Sequence, residues 1–232
     1  MGDSEYAIFL DHDDVWKPKI LASLVTALQC NPSAVGAYCI AERIDAEGKS
    51  IDPGAFETFM RMRLYIDERG IGLLPQDAPT GLESLAITNF IPSPGMALLR
   101  RSTLAKVGEW NSSLAHAEDY EMWLRLALIG EFFLVNSMMF GYRQHGANSS
   151  NNLSDVRKGL LLVRKQLMAH PGVTTKQRRI MLAGYRFDER GEAEDKIRQV
   201  PGLVKQGKFK DAFLDMWKAA FAIWRSVAGI HY

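Results

Sequence analysis

Three carboxylates within four residues follow a short apolar run near the start of the chain. The run is Tyr6–Leu10, and Asp11, Asp13 and Asp14 come directly after it. Residues 11 and 13 alternate, so at the end of a strand their side chains can turn toward a common point. Carboxylates this close repel one another, and Mg²⁺ or Mn²⁺ commonly relieves such repulsion while bridging to substrate phosphates. The alternative is that Asp14 caps the next helix while Asp11 and Asp13 are solvated.

A strand–helix alternation must position these carboxylates. Apolar spacing and turn residues predict strands at Tyr6–Leu10, 34–40, 96–99 and 132–136, with a second short strand before Tyr142. They predict helices at 18–29, 82–90, 101–107 and 117–129, and an irregular stretch with one short helix from 51 to 79. Beyond Leu153 only three helical patterns remain, at about 154–169, 174–198 and 207–228. We therefore expect an α/β core over residues 1–152 and a helical extension over 153–232.

Composition narrows the function classes. The chain has 232 residues, of which 47% are hydrophobic and 24% charged, as in ordinary globular proteins. A net charge of +1 gives no support for a nucleic-acid partner, which would normally require a basic patch. The two cysteines, Cys30 and Cys39, fit a reducing compartment and form no metal motif. No run approaches the roughly 18 apolar residues of a membrane span. These features favour a cytoplasmic protein.

Three later segments form a pattern together with the acidic one. They are a Pro-Ser-Pro-Gly loop around Gly95 followed by Arg100-Arg101, the pair Glu118-Asp119 opening a helix, and Tyr142-Arg143-Gln-His145 continuing to Ser149. With Phe9-Leu-Asp11-His-Asp13-Asp14-Val-Trp16, in this order and spacing, they closely resemble family 2 glycosyltransferases of the GT-A type. The resemblance covers roughly residues 5 to 150. It implies a Rossmann-like nucleotide-diphospho-sugar transferase core.

The resemblance also implies roles on the donor side. Asp11 and Asp13 would bind a divalent cation, Mn²⁺ or Mg²⁺, together with a UDP-, GDP- or dTDP-sugar, and Asp13 would be the more direct ligand. His145 stands where a late histidine commonly completes the metal site, although by sequence alone it could be an ordinary surface histidine. Arg143 could pair with a donor phosphate as a fork, and a surface ion pair is equally plausible.

On the acceptor side, Asp119 would be the general base that deprotonates a glycan or lipid-linked hydroxyl, with inversion at the anomeric carbon. Glu118 beside it would orient the acceptor. Both carboxylates also suit a helix N-terminus through the macrodipole alone. Gly95 would let the backbone approach a sugar, or it would only be the pivot of its turn.

The acidic strand of the family usually follows about 80 to 90 residues that bind the nucleotide base, whereas here it begins at Glu5. We therefore expect a chain that lacks the N-terminal nucleotide-binding segment. A truncated, non-catalytic remnant, or a subunit completed by another chain, is one alternative function.

A haloacid dehalogenase-like phosphatase is another alternative, since its motif hhhhDxDx[T/V] also fits residues 8–15. Asp11 would then be the nucleophile and Asp13 the acid/base, with Mg²⁺ as cofactor.

The last helical pattern combines aromatic and basic residues. Phe209, Phe213, Trp217, Phe221 and Trp224 recur at helical spacing, and lysines and Arg225 lie nearby. Such a helix could lie on the inner face of a membrane as a peripheral contact. It could also pack on the domain or form a homodimer, and the sequence leaves these readings open.

Overall fold

The fold is organised around a five-stranded mixed sheet. The computed structural model describes residues 3–67, 69–114, 116–146, 148 and 152–228, without the side chains of residue 153 and residues 221–228. The strands of the sheet are β1 (Tyr6–Ala7), β2 (Val15–Trp16), β3 (Gly36–Ile44), β6 (Ala97–Arg100) and β7 (Phe132–Arg143). Their order is β1-β6-β3-β7-β2, in which β3 and β7 are parallel and the other pairs antiparallel.

The acidic segment leaves its strand sooner than the sequence predicts. β1 ends at Ala7, where its pairing with Leu99 of β6 ends. Phe9 and Leu10, expected inside a buried strand, are 40% and 45% exposed. An apolar run alone does not make a strand, because each residue needs a ladder partner for its backbone groups. Residues 8–14 therefore form a loop at the tip of β1.

The end of the core is a single long strand. Sequence periodicity predicted two strands between residues 132 and 142, but β7 runs unbroken from Phe132 to Arg143. The register with β3 shifts on either side of Ile40, so that Cys39 pairs with Val135 and Ile40 with Met138. Ala41 then pairs with Phe140, so β7 carries three extra residues over these two shifts. They form a bulge, which interrupts the apolar alternation without ending the strand.

A hairpin stands where the sequence predicted an irregular stretch. β4 (Leu64–Asp67) pairs antiparallel with β5 (Gly70–Leu73) after the short helix α2 (Ala55–Arg61). A Cβ on Gly72 would lie 2.7 Å from the Tyr65 ring, so glycine allows the tyrosine to cover the opposite strand. The short glycine-rich strand carries too few side chains for a readable period-2 pattern.

Helices cover the sheet close to the predicted positions. They are α1 (Ile20–Cys30), α3 (Leu82–Leu85), α4 (Arg101–Val107) and α5 (Glu118–Ala127), and only α3 is much shorter than expected. Leu24 and Leu28 of α1 are fully buried and belong to the main apolar core. Trp123 of α5 is also fully buried, and its Nε1 donates to the Ile91 carbonyl at 2.9 Å.

The C-terminal helices α6 (Leu153–Ala169), α7 (Thr175–Lys205) and α8 (Phe209–Ala228) follow. α7 crosses α3 so closely that a Cβ on Gly184 would lie 1.8 Å from the Ala86 carbonyl oxygen. Arg164 of α6 is fully buried, donates to the Ile87 carbonyl at 2.9 Å and pairs with Asp188 of α7. In the part of the chain that is described, none of these helices has both the length and the apolarity needed to cross a membrane.

Candidate active site

The acidic loop is fastened to the sheet by Asp14. One oxygen of its carboxylate accepts from the Arg143 backbone N–H at 2.9 Å, and the other accepts from Ser93 Oγ at 2.8 Å. Burial raises the pKa of Asp14 to about 6, against the effect of these hydrogen bonds. Helix α1 begins after Lys19 with no side-chain cap, so the alternative in which Asp14 caps that helix is wrong. Asp14 instead joins three segments of the chain.

Asp13, just before β2, meets His145, just after the neighbouring strand β7. The Oδ2 atom of Asp13 lies 2.9 Å from Nε2 of His145, although 132 residues separate them in sequence. Burial alone would raise the pKa of Asp13, but the hydrogen bond from His145 contributes to holding it below its ordinary value. Asp13 is therefore ionised near neutral pH. Ala147 and Ser149, which follow His145 in the sequence pattern, lie outside the described residues.

Asp11 points to a different neighbour. Its Oδ2 atom is 3.4 Å from Ser93 Oγ. Burial raises the pKa of Asp11, and the negative charge of Asp13 raises it further. The two carboxylates are thus close enough to repel each other, as the sequence predicts, while each has its own hydrogen-bond partner.

Arg143 acts as a clamp on the backbone. Its guanidinium donates from Nε to the Asp13 carbonyl at 2.6 Å, and from Nη1 to the Asp45 and Ala46 carbonyls at 2.6 Å each. These bonds join the acidic loop to the turn after β3. They orient the guanidinium toward main-chain oxygens, so the contact to a donor phosphate remains a prediction.

The residues that would hold a divalent cation are partly assembled. Asp13 and His145 direct a carboxylate oxygen and an imidazole nitrogen at each other, and Asp11 is near enough to Asp13 for the two charges to repel. Among the described residues, no group of three or more His, Cys, Asp or Glu is arranged so that it could hold a metal ion by itself. Mg²⁺ usually takes one or two carboxylates and completes its shell with water and substrate phosphates. The pair fits a cation that binds together with a diphosphate.

Asp119 lies in a contrasting environment at the start of α5. Its Oδ2 accepts from Asn89 Nδ2 at 3.1 Å, and its Oδ1 accepts from the Tyr120 backbone N–H at 2.6 Å. Part of its surface remains accessible, yet the surrounding protein desolvates the carboxylate and raises its pKa to about 7. The charges of Glu118 and Asp11 add to the increase. A carboxylate with this pKa can accept a proton near neutral pH.

A strained turn presents Glu118 and Asp119. Ala117, directly before them, has a left-handed backbone with φ of 64°, which non-glycine residues seldom adopt. Helix α6 closes against this turn, since a Cβ on Gly159 would lie 3.1 Å from the His116 carbonyl oxygen. Glu118 is exposed and Asp119 turns inward.

One segment, Asn89–Gly95, touches both carboxylate groups. Asn89 donates to Asp119, while Ser93 bonds to Asp14 and approaches Asp11. The Asn89 oxygen accepts from the Ile91 N–H at 3.0 Å, which directs the amide nitrogen toward Asp119. Sequence reasoning assigned Asn89 and Ser93 no role. Their presence beside the glycine loop was the one signal available.

Gly95 is buried inside this segment. A Cβ at this position would lie 2.9 Å from the Phe140 ring and 3.0 Å from Leu10. Its carbonyl accepts from Trp16 Nε1 at 2.7 Å. These contacts explain the glycine by close packing of the loop on β7, and a sugar contact at Gly95 remains a prediction.

The chain matches one family model and is similar to solved glycosyltransferase structures. The family model described as glycosyltransferase like family 2 matches residues 1–173. No curated protein sequence matches the chain. Among solved structures, the chain is similar to the mannosyltransferase PcManGT from Pyrobaculum calidifontis in complex with GDP-Man and Mn²⁺, at 12% identity and a TM-score of 0.53. It is also similar to S. aureus TarS 1-349 in complex with UDP-GlcNAc, at 10% identity and a TM-score of 0.50.

The two structural alignments cover almost all of this chain but different shares of the two relatives. The alignment to PcManGT covers 98% of this chain and 52% of that chain, so this chain spans about half the length of that relative. For TarS the values are 100% and 70%. At such low identity the structures establish the fold, which is that of GT-A glycosyltransferases. The match over residues 1–173 establishes the family and leaves the phosphatase alternative without support. This chain belongs to the glycosyltransferase-like family 2.

Proposed function

We propose that this chain carries the transfer site of an inverting glycosyltransferase that moves a sugar from a nucleotide-diphosphate donor to an acceptor hydroxyl. Asp119 is the general base, and Glu118 orients the acceptor. Asp13, with His145 and Asp11, binds the diphosphate end of the donor through Mn²⁺ or Mg²⁺. Arg143 positions the acidic loop on the donor side, and the segment around Gly95 lines the acceptor side.

The chemistry is a single displacement. The acceptor oxygen forms a bond to the anomeric carbon while the bond from that carbon to the β-phosphate oxygen breaks. Asp119 takes the hydroxyl proton, and the nucleoside diphosphate leaves with the bonding electron pair. Attack opposite to the leaving group inverts the anomeric configuration. When bound, the cation supplies positive charge against the leaving diphosphate.

The observation that carries this proposal is the shared segment Asn89–Gly95. It hydrogen-bonds at one end to Asp119 and at the other to Asp14, and the charge of Asp11 raises the pKa of Asp119. These contacts support one site that contains both the proposed proton acceptor and the proposed cation-binding carboxylates. Carboxylates that lay far apart on the surface would share no bridging segment, and solvent ions would screen their charges from each other.

The opposite pKa shifts support different roles for the carboxylates. Asp13 is held below its ordinary pKa and remains an anion, as a cation ligand must. Asp119 has a pKa of about 7, which suits reversible proton transfer near neutral pH. Two carboxylates whose environments separate their pKa values are typical of sites that divide binding and proton transfer.

The relatives inform the choice of substrates. PcManGT is described with GDP-Man and Mn²⁺, and TarS with UDP-GlcNAc. We infer that this chain likewise acts on a nucleotide-sugar, of the UDP, GDP or dTDP class, with a glycan or lipid-linked acceptor. We place it in the cytoplasm, a compartment that suits the free thiols Cys30 and Cys39. We also propose the division into a core over 1–152 and a helical extension over 153–232.

Calorimetry with UDP, GDP and dTDP in the presence of Mn²⁺ tests the donor part of the proposal. We expect one nucleotide to bind in a metal-dependent way, with chelation of Mn²⁺ abolishing the heat. Release of that nucleotide from its sugar conjugates then identifies the sugar. If none of the three nucleotides binds with Mn²⁺ or Mg²⁺, the chain is not an active transferase by itself, and the remnant or completed-subunit alternative takes its place.

A further inference from the structure

Helix α8 carries a row of exposed aromatic and apolar side chains. Phe209, Phe213, Met216 and Trp217 are 67%, 71%, 54% and 58% exposed, and we refer to these four residues as the α8 stripe. Among the phenylalanines whose side chains are described, Phe209 and Phe213 have the highest exposed fractions. Exposure of several large apolar residues on one helix face indicates a surface that contacts something else. Phe221, Trp224 and Arg225 lie outside the described side chains.

The stripe lies to one side of the contact that holds α8 in place. Ala212 and Ala219, which are 4% and 1% exposed, form the buried side of α8, and the helix packs on α7. At about 100° per residue, the four stripe residues fall within a sector roughly 100° wide. Asp211 and Asp215 lie outside this sector by the same count. The arrangement is an amphipathic helix whose small residues pack inward.

The charges around the stripe are mainly positive. Residues 205–218 contain four lysines, at 205, 208, 210 and 218, and two aspartates, at 211 and 215, which gives a local net charge of +2. The four lysines are exposed. A second copy of the chain docked stripe to stripe would bring two positive segments together, which is unfavourable. A surface of anionic lipid headgroups would instead attract the lysines and accept the aromatic rings at its boundary.

We propose that the α8 stripe is a membrane-docking surface, on which the helix lies in the plane of an anionic bilayer with its aromatic rings at the headgroup boundary. The length of α8 fits this orientation, since 20 helical residues extend about 30 Å along the surface. By the same count Lys210 lies next to Trp217 and contacts lipid phosphates, and the other lysines add to the positive charge of the segment. The proposal does not depend on whether the chain transfers a sugar.

Vesicle cosedimentation of the whole chain tests the docking surface. We compare vesicles of phosphatidylcholine alone with vesicles that also contain phosphatidylglycerol. We expect binding to the anionic vesicles, weakening with added salt, and a drop of about tenfold or more in Phe213→Ser/Trp217→Ser. The matched control is Met62→Ser/Leu73→Ser, which removes two side chains that are 53% and 61% exposed elsewhere. The control should bind as the parent does.

Three results would overturn the proposal. They are equal binding to neutral and anionic vesicles, equal loss in the control variant, and no vesicle binding at all. Light scattering addresses the second-copy alternative, because a dimer that Phe213→Ser/Trp217→Ser dissociates would assign the stripe to another copy of this chain. Circular dichroism of each variant establishes that the substitutions at these exposed positions leave the helices intact.

Discussion

Two carboxylates of the candidate site, Asp13 and Asp119, have the same chemistry and opposite environments. Asp13 lies on a loop tied to the end of β7, and its hydrogen bond to His145 helps keep its pKa low. Asp119 lies at a helix start enclosed by protein, and desolvation raises its pKa to about 7. The difference shows that residue type does not assign a role. A hydrogen-bond donor that stabilises the ionised form lowers the pKa and suits a carboxylate to bind a cation. Desolvation raises the pKa and suits a carboxylate to accept a proton.

The supports of the two carboxylates differ as well. The acidic loop is held by Arg143 and Asp14, which belong to the α/β core itself. Asp119, the proposed base, is supported by Asn89, and donors from helices hold the residues that precede Asn89. Tyr120 Oη bonds to the Leu85 carbonyl at 2.6 Å, and Arg164 of α6 bonds to the Ile87 carbonyl at 2.9 Å. Through Arg164, helix α6 therefore supports the surroundings of Asp119.

The largest expected effect is on the base. Asp119→Asn keeps the shape of the side chain and removes the proton acceptor, so turnover should fall about 10²-fold to 10³-fold while nucleotide affinity stays near the parental value. Nucleotide release and calorimetry measure the two quantities. Glu118→Gln, at the exposed neighbour, is the control and should have a smaller effect. Parental turnover in Asp119→Asn would remove Asp119 from the base role.

The complementary change lies on the donor side. Asp13→Ala or His145→Ala removes one of the paired groups, and metal-dependent nucleotide affinity should fall about 10-fold to 100-fold. Calorimetry with and without Mn²⁺ measures this loss. Asp77→Ala, which removes an exposed carboxylate outside the site, should leave affinity unchanged. The cation assignment fails if both site variants keep the parental dependence on Mn²⁺.

A pair of glycine substitutions tests the support from the C-terminal helices. In Gly184→Ala the new Cβ would meet the Ala86 backbone, so α7 must shift and the free energy of unfolding should fall by about 1–3 kcal/mol. Gly191→Ala on the same helix has no neighbour within 4 Å and should instead gain up to about 1 kcal/mol through helix propensity. Urea unfolding compares the two variants. Equal stabilities would mean that α7 does not pack tightly on α3.

The smallest effect is a shift in pH dependence. With a pKa of about 7, Asp119 is ionised above neutral pH, so turnover should rise with pH and level off above 7. The Asn89 amide donates to the ionised form, hence Asn89→Ala should raise the pKa and move this limb to higher pH by up to about one unit. Asn111→Ala should leave the limb in place. A shift to lower pH in Asn89→Ala would contradict the role given to Asn89.

The sequence pattern predicts the positions of the helices well, but it does not predict the strand pairings. The helices α1, α4 and α5 lie close to their predicted ranges, because helical periodicity depends only on residues three or four positions apart. The hairpin β4–β5, the early end of β1 and the continuity of β7 were missed. For β1 and β7 the strand boundary depends on which distant segment supplies the ladder partner, and a single strand does not encode that partner. The hairpin has a different cause, since its second strand is too short and too rich in glycine to show an alternation.

The sequence by itself determined the family, through four short motifs in fixed order, and the residue types that the chemistry needs. Only the tertiary structure decided that Asp13 meets His145, that Arg143 clamps backbone carbonyls and that Asn89 supports Asp119. It also decided the pKa of each carboxylate, because desolvation and hydrogen bonding arise from groups far away in the chain. Motifs depend on local order, whereas electrostatic environment depends on how the whole chain packs.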